Sequence, residues 1–169
     1  MMKKCSTEKL YTADIICHGV PSPLVLREYV EYLGKKYESN VISINMRNRK
    51  FAPALGATIL LENGKELKDV YWSDLFYSNI ILRESCAVCK FTTRDKPADI
   101  TMSDIIGLDS KYQEIIDATN PPSIVITHSD KGKKLLERAD LLLKHINESE
   151  FCQPNLKCPT KMSTQKEKF

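Results

Sequence analysis

The sequence lacks a long hydrophobic run. No apolar stretch in its 169 residues approaches the ~20 residues that a helix needs to span a bilayer. The first four residues include two lysines, but neither a long apolar segment nor a small-residue cleavage site follows them, so the pattern is not that of a signal peptide. We therefore predict a cytoplasmic protein. In that reducing compartment, grouped cysteines indicate metal or redox chemistry rather than disulfides.

The sequence also lacks an excess of charge of one sign. Its 25 lysines and arginines are interleaved with 22 acidic residues, which leaves a net charge of +3. Proteins that bind nucleic acid usually show a clear basic stripe, so we do not expect nucleic acid as a partner. The densest basic run, over residues 47–50, is interpreted as a solvated loop. The alternative is a patch that meets an anionic cofactor or partner.

Internal repeats and low-complexity segments are absent as well, and the length fits one domain. We predict a single α/β domain of mixed α+β type, in which helices flank a mixed sheet and a loop carries cysteines. This domain is expected over residues 1–150, followed by an extended polar tail over residues 151–169. The predicted strands cover residues 11–17, 41–46, 58–61, 67–72, 99–102, 123–127 and 141–146. The predicted helices cover residues 23–33, 73–81, 112–117 and 130–139.

Turn and capping signals support several of these elements. Ser22 is a good helix N-cap, and Pro23 suits the first helical turn because its missing N–H costs nothing there. Asn63 and Gly64 predict a two-residue hairpin turn, since both residues tolerate positive φ.

Six cysteines are many for a cytoplasmic chain, and two of them form a C-x-x-C pair. Cys86 and Cys89 lie in a charged loop, where two thiolates at this spacing can bind one metal centre. The spacing leaves four interpretations open: half of a zinc site, part of an iron–sulfur ligand set, a thioredoxin-like redox pair, or no function. The redox pair is disfavoured, because such a pair usually opens a helix directly after a strand.

A metal centre needs further ligands, normally four in all. Cys17 is the natural third, since it ends a predicted strand and a glycine soon follows; its alternative is an inert buried thiol. The fourth ligand would come from Cys5, Cys152, Cys158 or from outside the chain. His18 could serve zinc, but we interpret it as a turn residue that bonds to backbone.

The remaining candidate groups receive structural interpretations. Asp99, Asp104 and Asp109 are interpreted first as carboxylates of strand ends and turns. His128 and His145 are assigned no chemistry.

Three ordered motifs resemble those of the beta-subunit family of coenzyme F-420 hydrogenases and dehydrogenases. Asp14–Pro23 is similar to the family segment D-x-x-C-H-G-V-P-S-P, and Arg83–Phe91 resembles R-x-S-C-x-x-C-x-F. Asp99–Asp104 with Gly107 resembles D-I-T-x-G-D-x-W-G. Softer similarity continues to the tail, so the resemblance covers almost the whole chain and indicates the family's carboxy-terminal domain, without its amino-terminal part.

This resemblance implies a redox function. It implies an α/β domain that carries a 4Fe-4S cluster and, in complete members, works with FAD and coenzyme F-420. Such proteins pass a hydride between deazaflavin and FAD, then single electrons to iron–sulfur centres. By position Cys17, Cys86 and Cys89 match cluster ligands, and Asp104 is the candidate cofactor contact. The implied partner is a ferredoxin-like domain or another redox subunit.

Two departures from the family pattern bear on cofactor binding. Ser103 replaces a glycine and Ile106 replaces an aromatic residue of the aspartate motif. The sequence therefore also supports a second hypothesis, a truncated non-catalytic relative that acts as a zinc-binding, structural or interaction module. A third, a small zinc-dependent enzyme, is favoured least because no positioned glutamate or histidine base stands out.

Overall fold

The computed structural model of the chain describes residues 8–46, 48, 56–108, 110–114 and 122–166. Among these residues it has three α-helices and two three-stranded sheets, one of them mixed, which confirms the predicted mixed α/β fold class. The strands are β1 (Ala13–Ile15), β2 (Val41–Asn45), β3 (Ala57–Leu61), β4 (Glu66–Asp69), β5 (Ile100–Asp104) and β6 (Ser123–Thr127). The helices are α1 (Pro23–Tyr37), α2 (Tyr71–Tyr77) and α3 (Asp130–Arg138).

The chain divides into two compact units. Unit 1 comprises residues 1–18 and 89–159, and unit 2 comprises residues 19–88 and 160–169. Within the described residues, no helix is long and apolar enough to cross a membrane.

Unit 2 is built on the antiparallel sheet β2-β3-β4. Four of the five residues of β3 are buried, as expected of the central strand. Helix α1 begins at Pro23 with Ser22 as its N-cap, and it ends where Glu38 adopts a left-handed backbone with φ of 50°. Its buried face shares one core with the sheet and α2. The buried members of that core are Tyr29, Leu33, Ile59, Leu61, Trp72, Leu75 and Ile81.

The hairpin between β3 and β4 was predicted at the right place, but the predicted two-residue turn was wrong. The loop spans residues 62–65, and the Leu61 N–H donates to the Lys65 carbonyl at 2.9 Å. Gly64 has a φ of 81°, whereas Asn63 does not have positive φ. Asn63 instead accepts a hydrogen bond from the Lys65 N–H through its side chain. A longer hairpin loop needs one left-handed residue rather than two.

Unit 1 is built on the mixed sheet β1-β5-β6, in which β1 runs parallel to β5 and β6 runs antiparallel to it. Helix α3 begins where the Ser129 hydroxyl accepts a hydrogen bond from the Gly132 N–H at 3.0 Å, so Ser129 is its N-cap. The buried core of this unit includes Ile16, Ile124 and Leu156.

Two other element predictions need correction. Residues 141–146 form no strand, and their three consecutive leucines are exposed. A short apolar run does not alternate, so it cannot by itself specify a strand. Helix α2 lies at 71–77 rather than 73–81, and it ends before Asn79, whose φ is 63°. Part of the predicted helix 112–117 lies outside the described residues.

The segment after residue 147 contains short 3₁₀ turns, Glu148–Glu150 and Pro154–Leu156. Leu156 belongs to the core of unit 1, and Gln153 is also buried. Residues 160–166 belong to unit 2, where the Lys161 carbonyl accepts a hydrogen bond from the Asn79 side chain at 3.0 Å. The domain boundary predicted at residue 150 stays a prediction.

Candidate functional site

Cys17 lies just beyond the carboxyl end of β1. The Ile16 N–H donates to the Met102 carbonyl at 3.1 Å, which continues the pairing with β5 to the residue before the cysteine. Ile16 is buried whereas Cys17 is exposed and its thiol is free, so the strand carries the sulfur out of the core. This is the position predicted for a strand-end ligand.

Asp104 lies at the same edge of this sheet as Cys17. It is the last residue of β5, and β1 and β5 are parallel with Ile15 opposite Met102. The carboxyl ends of parallel strands meet at one edge, where α/β proteins tend to build sites. The Asp104 residue is exposed, and its carbonyl accepts a hydrogen bond from the buried Gln153 side chain.

Cys86 lies in unit 2, within the 3₁₀ helix Glu84–Val88. Its Sγ accepts a hydrogen bond from the Val20 N–H at 3.3 Å, and the Arg83 N–H donates to the Val20 carbonyl at 2.9 Å. These bonds hold the thiol against the backbone of Val20, the residue after Gly19. Gly19 packs directly against the Leu82 side chain, since a Cβ at this position would lie 2.7 Å from it.

Cys89 lies in unit 1 and is half-buried with a free thiol. Its carbonyl accepts a hydrogen bond from the Thr92 hydroxyl at 2.8 Å. The two cysteines of the C-x-x-C pair therefore belong to different units. In the described part of the chain, no three or more His, Cys, Asp or Glu side chains form a group that could hold a metal ion.

The candidate fourth ligands have different surroundings. Cys5 lies outside the described residues. Cys152 is exposed and pairs with Ile106, its N–H donating to the Ile106 carbonyl at 2.8 Å. Cys158 is also exposed, and its Sγ lies 3.7 Å from the Pro154 carbonyl oxygen. Cys152 and Cys158 have free thiols and belong to unit 1.

Asp99 joins three segments of unit 1. Its carboxylate accepts hydrogen bonds from the Thr12 N–H at 2.8 Å and from the Ser129 hydroxyl at 2.6 Å. Lys131 Nζ lies 3.3 Å from the same carboxylate. The Ser129 hydroxyl, followed by the Thr12 N–H, holds the pKa of Asp99 well below its usual range. These contacts confirm the structural interpretation of Asp99, whereas Asp109 lies outside the described residues.

Glu150 is a second fixed carboxylate that sequence reasoning did not identify. Its strongest partner is the Lys111 ammonium, and its carboxylate also accepts from the Asn147 N–H at 2.7 Å and from the Tyr112 hydroxyl at 2.9 Å. These bonds lower the pKa of Glu150 to about 2. Both partners of the ion pair belong to unit 1, but they are 39 positions apart in the sequence, so only folding reveals the pair.

The fold and these residues define a mixed α/β protein in which the three thiols of the sequence motifs lie outside the core, Cys17 just beyond a strand and Cys86 and Cys89 in and after a 3₁₀ turn. Residues 1–148 match the family model that describes the C terminus of the beta subunit of coenzyme F420 hydrogenase/dehydrogenase. The match covers most of the chain, and the chain belongs to this family. No curated protein and no solved structure gives a significant match.

Proposed function

We propose that this chain is a redox domain that binds a 4Fe-4S cluster through Cys17, Cys86 and Cys89. It relays electrons between a flavin-type cofactor, FAD or coenzyme F-420, and a partner protein that is a ferredoxin-like domain or another redox subunit. The observation that carries the proposal is family membership over residues 1–148 together with free thiols at the motif positions. A reducing cytoplasm is the compartment that keeps such thiols available.

The chemistry of the three sulfurs supports this assignment. Thiolates are the usual ligands of iron–sulfur clusters, and hydrogen bonds to the sulfurs help to set the reduction potential. Cys86 already accepts such a bond from the Val20 N–H at 3.3 Å. Because no ligating group of three is found among the described residues, the proposal rests on donor chemistry and family membership rather than on an assembled site.

The fourth ligand is proposed to be Cys5, Cys152 or Cys158, or a group from outside the chain. Cys152 has a feature that favours it. It pairs with Ile106, two residues after Asp104, in the same unit as Cys17 and Cys89.

Asp104 is proposed as the contact to the organic cofactor. It is exposed at the carboxyl edge of the sheet, and the buried Gln153 side chain holds its carbonyl. A flavin supplies the step between two-electron and one-electron transfer when it is bound. The role of the chain itself is to present the carboxylate and to keep the backbone beneath it fixed.

The first experiment is iron, sulfide and zinc analysis with an absorption spectrum of anaerobically purified protein. We expect about four irons and four sulfides per chain, with broad visible absorbance. The double variant Cys86→Ser/Cys89→Ser should lose both. Val88→Ala is the matched control, because Val88 is exposed between the two cysteines and carries no ligand atom. Cys152→Ser and Cys158→Ser then test the fourth ligand.

Two results of the metal analysis would count against the redox proposal. Protein that takes up no iron after anaerobic reconstitution contradicts the redox proposal. Stoichiometric zinc lost in the double variant would instead support the zinc-binding or structural module.

A further inference from the structure

Lys96 is a buried lysine that the motifs do not explain. Its side chain is 3% exposed. Its Nζ donates to the Phe91 carbonyl at 2.6 Å and lies 3.7 Å from Asp14 Oδ2. Burying an ammonium is costly unless it is paired and hydrogen-bonded, and both conditions are met here. The lysine therefore forms a specific bridge between Asp14 and the loop after Cys89.

The bridge extends into a polar network on one face of the sheet of unit 1. The Asp14 carboxylate also accepts a hydrogen bond from the hydroxyl of Thr101, a fully buried residue of β5. Thr101 Oγ1 lies 2.8 Å from His128 Nε2. Since the hydroxyl proton goes to Asp14, Nε2–H is the donor to Thr101. The network thus holds the Asp14 carboxylate in one orientation toward Lys96.

The two ends of this bridge are close in sequence to two of the candidate cluster ligands. Asp14 is three residues before Cys17 on the strand that leads to it. Phe91 is two residues after Cys89, and the Thr92 hydroxyl fixes the Cys89 carbonyl at 2.8 Å. Lys96 therefore connects the backbone that carries one thiol to the backbone that carries the other, within unit 1.

We propose that Lys96 is a positioning residue, which fastens the loop after Cys89 to strand β1 and so fixes the backbone at Cys89 relative to Cys17. This inference deepens the proposed function and rests on it for its role at a cluster. Outer-shell groups that orient ligands typically change metal affinity by about 10–100-fold when they are removed. A bond from an ammonium to a backbone carbonyl is of the strong, charge-assisted kind.

The first test needs no metal. Amide hydrogen exchange is measured on the metal-free chain for the wild type and for Lys96→Met, which keeps the length of the side chain but removes the charge. We expect amides of residues 89–94 to exchange about tenfold faster or more, while amides of β3 in unit 2 keep their rates. Lys90→Met is the matched control, since Lys90 is an exposed lysine beside Cys89.

A second variant keeps the test decisive if Lys96→Met fails to fold. Asp14→Asn preserves the size of the side chain and removes the charge that faces the ammonium. It should loosen residues 89–94 in the same direction, and combining it with Lys96→Met should add little further effect, because both changes remove one interaction. Loop exchange at the wild-type rate in both variants, or equal acceleration throughout the chain, would overturn the positioning role.

A separate experiment tests the role of Lys96 at the cluster. In iron-loaded protein, Lys96→Met should lose iron to a chelator about tenfold faster than wild type and Lys90→Met. Equal rates of loss would refute the role of Lys96 at the cluster. If the wild type itself takes up no iron, the proposed function fails, whereas the exchange measurement still decides whether Lys96 fastens the loop.

Discussion

Gly132→Ala should destabilise unit 1, although alanine is the better helix former. Gly132 lies in the first turn of α3, where the helix packs against the backbone at Asp99. A Cβ at this position would lie 2.9 Å from the Asp99 carbonyl carbon, closer still to its oxygen, and 3.0 Å from the Ile100 side chain. Real Cβ atoms essentially never approach other atoms closer than 3.0 Å. The helix must therefore move away from β5.

The expected loss of stability follows from one stabilising effect and two destabilising effects. Alanine in place of glycine favours a helix by up to ~1 kcal/mol. Overpacking against rigid backbone costs ~1–3 kcal/mol. Movement of α3 also weakens the Ser129 cap, whose hydroxyl accepts from the Gly132 N–H at 3.0 Å, and a lost cap costs ~1 kcal/mol. We expect a net loss of about 1–3 kcal/mol in the free energy of unfolding.

The assay is urea unfolding followed by circular dichroism, with Gly34→Ala as the control. Gly34 lies inside α1, and the nearest atom to its Cβ position is 3.8 Å away. Gly34→Ala should therefore leave stability unchanged or raise it by up to ~1 kcal/mol. A Gly132→Ala variant as stable as the wild type would refute the close approach of α3 to Asp99.

Two further predictions concern the core and the response to acid. Leu61→Ala should lower the free energy of unfolding in urea by ~2–5 kcal/mol, because Leu61 is 0% exposed. Leu24→Ala, at a helix position that is 55% exposed, should change it by no more than ~0.5 kcal/mol. Similar losses in the two variants would contradict the assignment of the core. The pKa of Asp99 is lower in the folded than in the unfolded chain, so its stabilisation is present above about pH 4 and is lost as pH falls further. The stability difference between the wild type and Asp99→Asn, measured by urea unfolding, should accordingly shrink below about pH 4. A difference that stays constant with pH would refute the assigned hydrogen bonds.

Local signals predicted most of the regular elements. Helix α1 begins at Pro23 and α3 is capped by Ser129, because capping depends on residues within one turn. Strands β2 and β6 were predicted from alternation and β-branched residues. The strand predicted over residues 141–146 was wrong because pairing with a neighbouring strand does not depend on local sequence.

The candidate site was predicted only in part from its motifs. Cys17 lies at a strand end, as the sequence predicted, and Cys86 lies in a short 3₁₀ turn within the segment that was predicted as a loop. Their role as ligands stays a prediction. The sequence could not identify the positions of Lys96 and Gln153 in the packing, because each has a partner distant along the chain, Asp14 for Lys96 and the Asp104 carbonyl for Gln153.

Residue type and short-range spacing were enough to predict the family, the mixed α/β class, the starts of α1 and α3 and the identity of the candidate ligands. The tertiary structure alone decided the parallel pairing that places Cys17 and Asp104 at one edge, the burial of Lys96 between Asp14 and Phe91, and the fixation of Asp99. These features depend on residues that are distant along the chain, such as Thr12 and Asp99 at 87 positions apart, and their stability comes from burial and hydrogen bonding that exist only after the chain has folded.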